Sequence, residues 1–158
     1  MSTPSYPAFN PYITVTNAAE AIAFYEKAFG AKERFRLTDK ATGKIGHAEL
    51  SLNDGLLMLS DENPAWNKSP QTLGGTPVKF CLMVENSDAA IAKAAAAGAT
   101  VQMPATDMFY GFRSGCVCDP YGHVWLLQHE IEKVSPEEMQ KRWDNMSGEC
   151  PASKDTAK

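Results

Sequence analysis

The chain has 158 residues, of which 44% are apolar and 22% are charged, and these values are typical of one globular domain. Its net charge of −4 argues against nucleic acid or an anionic membrane surface as the main partner, because both need a basic face. No apolar run approaches the roughly 20 residues that span a bilayer, and the polar, proline-containing start lacks the apolar core of a signal peptide. We therefore expect a cytoplasmic protein with no membrane partner.

The four cysteines predict reduced, structural thiols. Cys116 and Cys118 are two residues apart, so both side chains would point to the same face of an extended strand. A C-x-C pair with no second cluster is weak evidence for a metal centre. Cys81 lies in an apolar segment, where a free cysteine behaves as a small hydrophobic residue.

The first half of the chain predicts the element order β-α-β-β-β. Residues 12–16 are rich in β-branched side chains and predict a strand. Asn17 can cap the helix that follows, whose apolar residues recur at helical spacing, and Gly30 ends it. Three strands come next, over residues 32–38, 45–52 and 56–60. The turn Asn53-Asp54-Gly55 joins the last two strands as a tight hairpin.

The second half repeats this order after a linker, residues 62–76, that is rich in proline and glycine. Its predicted elements are a strand over 78–85, a helix over 88–97, a strand over 100–103 that Pro104 breaks and that resumes near Met108, and strands over 112–118 and 123–130. The turn Asp119-Pro120-Tyr121-Gly122 takes the place of the earlier hairpin turn. A capping box at 135–138 predicts a C-terminal helix, and residues 147–158 form a flexible tail.

Matching residues indicate that one unit occurs twice. Val15 matches Val84, and Asn17 matches Asn86. A curved four-stranded sheet with a helix on its outer face leaves its concave face uncovered, so two copies can enclose a cleft. We therefore predict an α+β fold in which two tandem βαβββ modules form a curved, mostly antiparallel sheet cleft with helices outside. The predicted bounds are about 8–61 for module one, 62–76 for the linker, 77–131 for module two and 136–144 for the C-terminal helix, within a single domain at 1–146.

Two segments, AIAFYEKAFG at 21–30 and DPYGHVW at 119–125, resemble the vicinal-oxygen-chelate superfamily. That superfamily contains glyoxalase I, bleomycin-binding proteins, fosfomycin-resistance enzymes and extradiol dioxygenases. Shorter segments resemble its PhnB-like, glyoxalase-like subgroup: GHAEL at 46–50, GGTP at 74–77, FYG at 109–111, RSG at 113–115 and VSPEEM at 134–139. The resemblance, over about residues 8–143, implies the fold and a ligand cleft but no single reaction, because the scaffold hosts many chemistries.

The resemblance also implies one divalent metal ion in the cleft, held by His, Glu or Gln from the first and last strands of each module. The corresponding positions in this chain fall near Asn10, Met58, Lys79 and Leu126. A lysine ammonium repels a cation and a leucine offers no donor atom. We therefore expect no metal or other cofactor. An alternative zinc site would combine His47 and Glu49 with His123 or His129.

His47 and Glu49 are the candidate catalytic residues, because their spacing places both on one face of a strand. Three interpretations of His47 stay open. It can be a partly buried histidine hydrogen-bonded to Glu49, a metal ligand, or a residue that contacts ligand or transfers a proton, since histidine titrates near neutrality.

The candidate ligand-binding residues are an arginine and several aromatic side chains. Arg113, with Tyr110 nearby, can meet an anionic group, although a surface arginine paired with acidic residues is an equal alternative. Aromatic residues most often belong to the core, but a few can line the cleft and stack on a flat cationic ligand. The aromatic candidates are Phe109, Trp66, Phe80 and Trp125.

Three functions are therefore weighed. The favoured one is a small-molecule binding protein of the glyoxalase/bleomycin-resistance type, for a xenobiotic or antibiotic ligand, without the usual metal site. The alternative is a lyase or isomerase of the same superfamily that uses His47 and Glu49, with or without a divalent metal. A structural dimer without ligand ranks last. Many relatives form two-fold dimers in which one chain completes the cleft of the other, so we expect a homodimer.

Overall fold

Residues 6–146 are described by the computed structural model. Predictions for residues 1–5, for the tail at 147–158 and for Cys150 lie outside the described residues. Module one contains β1 (Tyr12–Val15), α1 (Ala18–Phe29), β2 (Lys32–Thr38), β3 (Ile45–Leu52) and β4 (Gly55–Asp61). A short helix follows in the linker, α2 (Pro70–Leu73). Module two contains β5 (Lys79–Met83), α3 (Ser87–Ala97), β6 (Thr100–Asp107), β7 (Phe112–Cys118) and β8 (Val124–Glu130), and α4 (Pro136–Met146) comes last.

The two modules have the same sheet topology, so the predicted fold is confirmed. The first sheet has the strand order β1-β4-β3-β2 and the second the order β5-β8-β7-β6. In each sheet the first strand runs parallel to its neighbour and the other pairs are antiparallel. The protein therefore has an α+β fold of two four-stranded mixed sheets with helices outside and no closed barrel. None of the helices described between residues 6 and 146 is long and apolar enough to cross a bilayer.

Local sequence signals account for helix α1. The Asn17 side chain accepts a hydrogen bond from the backbone N–H of Glu20 at 3.3 Å, which satisfies one of the free donors at the helix start. Ile22 and Tyr25 are fully buried on the face that meets the sheet. Gly30 ends the helix in the left-handed conformation with φ 71°, as a glycine C-cap does. The predicted cap and end of α1 are both confirmed.

One predicted detail of the fold is wrong. Pro104 does not break its strand: β6 continues from Thr100 to Asp107, with register shifts on either side of Met103. The strand lies at the edge of the sheet, where proline's missing N–H leaves no ladder hydrogen bond unmade. The predicted linker contains the short helix α2, which Ser69 caps and Gly74 ends. Helix α4 ends at Met146, close to the predicted end near residue 144.

The two modules share one hydrophobic core on their helix side. Helix α1 packs against α3, and the ring centroids of Phe29 and Trp125 lie 4.7 Å apart. Leu59 of β4 and Leu127 of β8 are fully buried in the same core cluster. Because side chains alternate along a strand, the neighbours of these residues point to the opposite face. We call that opposite face of each sheet its cleft face.

A buried carboxylate joins the modules. Asp119, in the turn between β7 and β8, is only 4% exposed. It accepts hydrogen bonds from the Tyr25 hydroxyl at 2.7 Å and from Trp125 Nε1 at 2.9 Å. It also accepts from the backbone N–H groups of Tyr121 and His123, both at 2.9 Å. Burial and the neighbouring Asp119 carboxylate raise the pKa of Tyr25 well above its ordinary value, so the hydroxyl stays a donor.

We expect Asp119→Asn to lower the free energy of unfolding by about 2–4 kcal/mol, because an amide presents N–H groups to donors that now find a carboxylate. The matched control is Asp54→Asn, in the corresponding β3–β4 turn, where the exposed side chain bonds to no other described residue. That control should change stability by less than about 0.5 kcal/mol. Urea unfolding followed by circular dichroism measures both, and equal midpoints for Asp119→Asn and wild type would contradict the assignment.

Candidate functional site

A cluster of polar side chains surrounds Glu49 on the cleft face of the first sheet. Glu49 is 2% exposed, and its Oε1 accepts a hydrogen bond from the Tyr6 hydroxyl at 3.1 Å. His47 Nε2 lies 3.4 Å from the same oxygen, and Arg34 Nη1 lies 3.5 Å from Oε2. The Oε2 atom is buried and accepts no hydrogen bond from any residue within 6–146. We call Glu49, His47, Tyr6, Arg34 and Tyr12 the Glu49 cluster.

The imidazole of His47 is held between two aromatic rings. The Tyr12 hydroxyl lies 3.1 Å from His47 Nδ1, and the two ring centroids are 5.5 Å apart. On the other side, the Phe35 ring centroid lies 5.7 Å away. A neutral imidazole can therefore donate through Nε2 toward Glu49 while Nδ1 accepts from Tyr12. A histidine held in this way between a carboxylate and a hydroxyl can take up or release a proton.

His47 and Glu49 lie on one strand face, as predicted. The other three members of the Glu49 cluster, Tyr6, Arg34 and Tyr12, were not predicted from the sequence. Arg34 reaches Glu49 because the register of β2 against β3 shifts between Glu33 and Phe35. Such a shift leaves no signal in the sequence pattern. Tyr6 lies before the predicted start of module one at about residue 8. It stacks under Arg34, whose guanidinium carbon lies 5.1 Å from its ring centroid. The catalytic role of His47 and Glu49 stays a prediction.

An apolar cavity of about 400 Å³ lies at the seam between the modules. We call it the seam cavity. Its lining residues are Phe9, Pro11, Leu52, Gly55, Leu56, Leu57, Val78, Lys79, Phe80, Cys81, Leu82 and Trp125. Leu56 is two residues from Met58, and Met58 pairs with Glu49 across β3 and β4 on the cleft face. The seam cavity and the Glu49 cluster therefore adjoin along one strand.

The predicted aromatic ligand-binding residues fall in three places. Phe80 and Trp125 line the seam cavity. Trp66 is 78% exposed at the rim of a separate pocket of about 460 Å³. Phe109 and Tyr110 pack edge to face with ring centroids 5.2 Å apart, and Phe109 also packs on Trp143 of α4. The structure thus forms two separate pairs, of which only Phe80 with Trp125 lines the seam cavity, and the contact of all these residues with a ligand stays a prediction.

Arg113 lies on the helix side of β7, where two carboxylates hold it. Its Nε and Nη2 donate to Asp88 at 2.6 and 2.9 Å, and its Nη1 donates to Asp107 at 2.7 Å. These hydrogen bonds raise the pKa of Arg113. The geometry matches the alternative of a surface arginine paired with acidic residues, so little of the guanidinium is left for an anionic ligand.

The residues at the implied metal positions do not fit a divalent ion. Met58 offers a thioether and Lys79 an ammonium, neither of which suits a divalent cation of this superfamily. Leu126 has no donor atom. The Asn10 amide nitrogen donates to the Pro7 carbonyl at 2.8 Å, which leaves its Oδ1 without a hydrogen bond within residues 6–146, but one amide oxygen does not make a divalent site. Within residues 6–146, no three His, Cys, Asp or Glu side chains are grouped where they could hold a metal.

The alternative zinc site is also not assembled among the described residues. His123 Nε2 lies 2.9 Å from the Thr14 carbonyl oxygen of β1. His129 Nδ1 accepts from the backbone N–H of Ser87 at 3.1 Å. Each histidine is therefore engaged by a different element, away from His47 and Glu49. His123 and His129 therefore form no three-residue group with His47 and Glu49 in the part of the chain that the structure describes.

Comparison with known proteins places this architecture in a family. A model described as Glyoxalase/Bleomycin resistance protein/Dioxygenase superfamily matches residues 8–127. The uncharacterized protein Rv0887c of Mycobacterium tuberculosis strain H37Rv is 41% identical over 138 residues, which cover 85% of this chain and 81% of that protein. The X-ray structure of the Arabidopsis thaliana gene product At5g48480 is 28% identical with a TM-score of 0.64, over 79% of this chain and 100% of that chain.

A further solved structure has nearly the same similarity. TioX from Micromonospora sp. ML1 is 26% identical with a TM-score of 0.63, over 81% of this chain and 100% of that chain. The family match covers most of the chain and includes both modules up to β8. The chain therefore belongs to the glyoxalase/bleomycin resistance protein/dioxygenase superfamily.

Proposed function

We propose that this chain is a metal-independent small-molecule binding protein of the PhnB-like subgroup, with a xenobiotic or antibiotic as its ligand. The seam cavity is the observation that carries the proposal. Its volume of about 400 Å³ falls in the range of ligand sites, and most of its lining is apolar, with a few polar groups at its edge. The poor fit of the implied metal positions supports binding over metal-assisted chemistry.

The Glu49 cluster supplies the polar part of this site. A buried carboxylate oxygen without a hydrogen-bond donor costs free energy, and the Oε2 atom of Glu49 is in that state among the described residues. A ligand that places an N–H or O–H group against Oε2 would remove this cost while its apolar body fills the seam cavity. Because the two regions adjoin at Leu56 and Met58, one molecule can reach both.

The contact of His47 with Glu49 favours a second candidate, a lyase or isomerase. The His47 side chain is 25% exposed, so a substrate on the cleft face can reach it. In this alternative the imidazole takes a proton from a substrate carbon or oxygen, and the Glu49 carboxylate stabilises the charge that develops on the ring. The proton would enter at Nδ1, the nitrogen not directed to Glu49, after the substrate displaces the Tyr12 hydroxyl from it.

We also propose that two copies of the chain form a dimer through the cleft face. Three apolar side chains of the first sheet are exposed on that face: Tyr12 by 51%, Phe35 by 38% and Leu37 by 60%. A second copy would cover them and close the cleft, as isologous contacts in two-fold dimers do.

Val78→Trp should weaken ligand binding, because Val78 lines the seam cavity and an indole there would fill it. Compounds from a small-molecule library that raise the melting temperature of wild type should lose that effect in this variant. The matched control is Val101→Trp, at a similarly exposed valine on the edge strand β6. A library without a stabilising compound, or one whose compounds stabilise Val78→Trp equally, would contradict the proposal.

His47→Ala separates binding from catalysis. If the chain is a binder, the variant should bind the compounds found above with no more than a modest loss, and wild type should leave them chemically unchanged. An enzyme would instead convert a compound, and the variant would lose about 100- to 10,000-fold in rate, the usual contribution of a general base. Mass spectrometry of the incubated compound measures conversion.

Metal analysis of the purified protein should find no stoichiometric nickel, zinc or manganese, whose retention would oppose the metal-free proposal.

Leu37→Glu should shift the protein toward the monomer, since it places a charge in the proposed dimer contact. Val101→Glu is the control, because Val101 is 41% exposed on the helix side of the edge strand β6, in register with the buried Val117 and Trp125. Sedimentation velocity at micromolar concentration measures the mass of both variants. A monomeric wild type would rule the dimer out.

A further inference from the structure

We infer that the seam cavity selects an organic acid, a molecule with an apolar body and one carboxylate that the Lys79 ammonium holds. This inference rests on the proposed function, since it names the chemical class of the ligand. It follows from the charge of the cavity, from the position of Lys79 in it and from the lack of a competing partner for that lysine.

The cavity carries a single charge, and that charge is positive. Among the described residues that line it, Lys79 is the one with a charged side chain. Cys81 also lines the cavity, but burial raises the pKa of its thiol, so the sulfur stays neutral at neutral pH. The whole chain carries a net charge of −4, so a solitary cation in an apolar recess stands out from its surroundings. Walls of low dielectric strengthen the attraction of such a cation for an anion.

Lys79 lines the cavity beside apolar side chains and is itself exposed. It is the first residue of β5, and its side chain shares the cleft face with Cys81. The next residue, Phe80, points to the other face, where it packs on Trp125 with ring centroids 5.0 Å apart. Lys79 is exposed, so its ammonium can stay in water while the four-carbon stem follows the apolar surface. A bound acid would therefore keep its carboxylate at the wet rim and bury only its apolar part, which avoids the cost of burying a charge.

No acidic residue within 6–146 competes for this ammonium, since Lys79 forms no ion pair or hydrogen bond through its side chain there. The anion on the cleft face of the first sheet, Glu49, has the Arg34 guanidinium beside it, with Nη1 3.5 Å from Oε2, although Oε2 still accepts no hydrogen bond within residues 6–146. A cationic ligand at Glu49 would therefore meet the repulsion of Arg34, whereas an anionic ligand at Lys79 meets no competing carboxylate. Because Lys79 is positive and Glu49 is negative, a bound acid would place its carboxylate at the β5 end of the cleft.

The test compares three ligands with one alkyl chain and different head groups: decanoate, decanamide and decylammonium, below their micelle concentrations. Isothermal titration of the full chain should give the order decanoate, then decanamide, then decylammonium. Lys79→Met should weaken decanoate binding about tenfold, the effect of one charge-assisted hydrogen bond, and leave decanamide unchanged. Lys79→Arg should retain the preference. Lys93→Met, at an exposed lysine of α3 that does not line the seam cavity, is the control and should bind all three like wild type.

A second readout locates the bound acid. Decanoate should slow the alkylation of Cys81, measured by peptide mass spectrometry, because Cys81 lines the same cavity. Unchanged labelling with clear binding would place the acid elsewhere and overturn the inference.

The outcomes separate this inference from the proposed function. Equal binding of decanoate and decanamide, unaffected by Lys79→Met, would overturn the acid preference and leave the small-molecule site standing. Tightest binding of decylammonium would overturn it in favour of a cation drawn to Glu49. If none of the three binds and no library compound stabilises the chain, the proposed function fails together with the inference.

Discussion

The four hydrogen bonds to the Asp119 carboxylate are the interaction on which the arrangement of this protein depends. They link the Tyr25 hydroxyl of α1 in module one to a turn and a strand of module two. Each donor would be buried without a partner if the carboxylate were removed, so the turn between β7 and β8 and the helix α1 hold one another in place. These hydrogen bonds hold the two modules together at their common core. The cleft face of each sheet lies on the side opposite that core.

The seam that results is asymmetric, although the modules repeat. Tyr12 pairs with Met58 in the first sheet, and Cys81 pairs with Leu126 at the equivalent place in the second. Gly55 precedes Met58 by the same number of residues as His123 precedes Leu126, so Gly55 in module one corresponds to His123 in module two. Gly55 has no side chain and lines the cavity of about 400 Å³. His123, the corresponding residue of module two, contacts the Thr14 carbonyl of module one. It lines a smaller pocket, of about 230 Å³. The two sides of the seam thus carry different residues at this position and pockets of different volume.

The charges of the cleft form a pattern that differs from a metal centre. A lysine stands where the superfamily resemblance implies a metal ligand, and a leucine and a methionine occupy two further such positions. A side-chain cation, the Lys79 ammonium, therefore lies at one of the positions where the resemblance implies a metal ligand, and it lines an apolar cavity. At the neighbouring Glu49, an arginine, a histidine and a tyrosine surround the carboxylate and hold it in a fixed orientation. These features favour recognition of a ligand over polarisation of a substrate by a cation.

Features that depend on residues close together in the chain could be predicted from the sequence. Side-chain spacing predicted the two βαβββ modules, Asn17 and Gly30 predicted the ends of α1, and the two-residue period of a strand placed His47 beside Glu49. These features are local, because a cap, a turn or a strand face is set within a few residues.

Contacts between residues far apart in the chain could be known only from the packing of the folded protein. Tyr25 meets Asp119 across 94 positions, and Tyr6 meets Glu49 across 43. A register shift in β2 brought Arg34 to the cluster, and two acidic residues took Arg113 out of the cleft. The seam cavity is lined by residues of both modules, from Phe9 to Trp125, that lie far apart in the chain. Spacing in a sequence states which face a side chain occupies, whereas the packing of distant segments decides what that face touches.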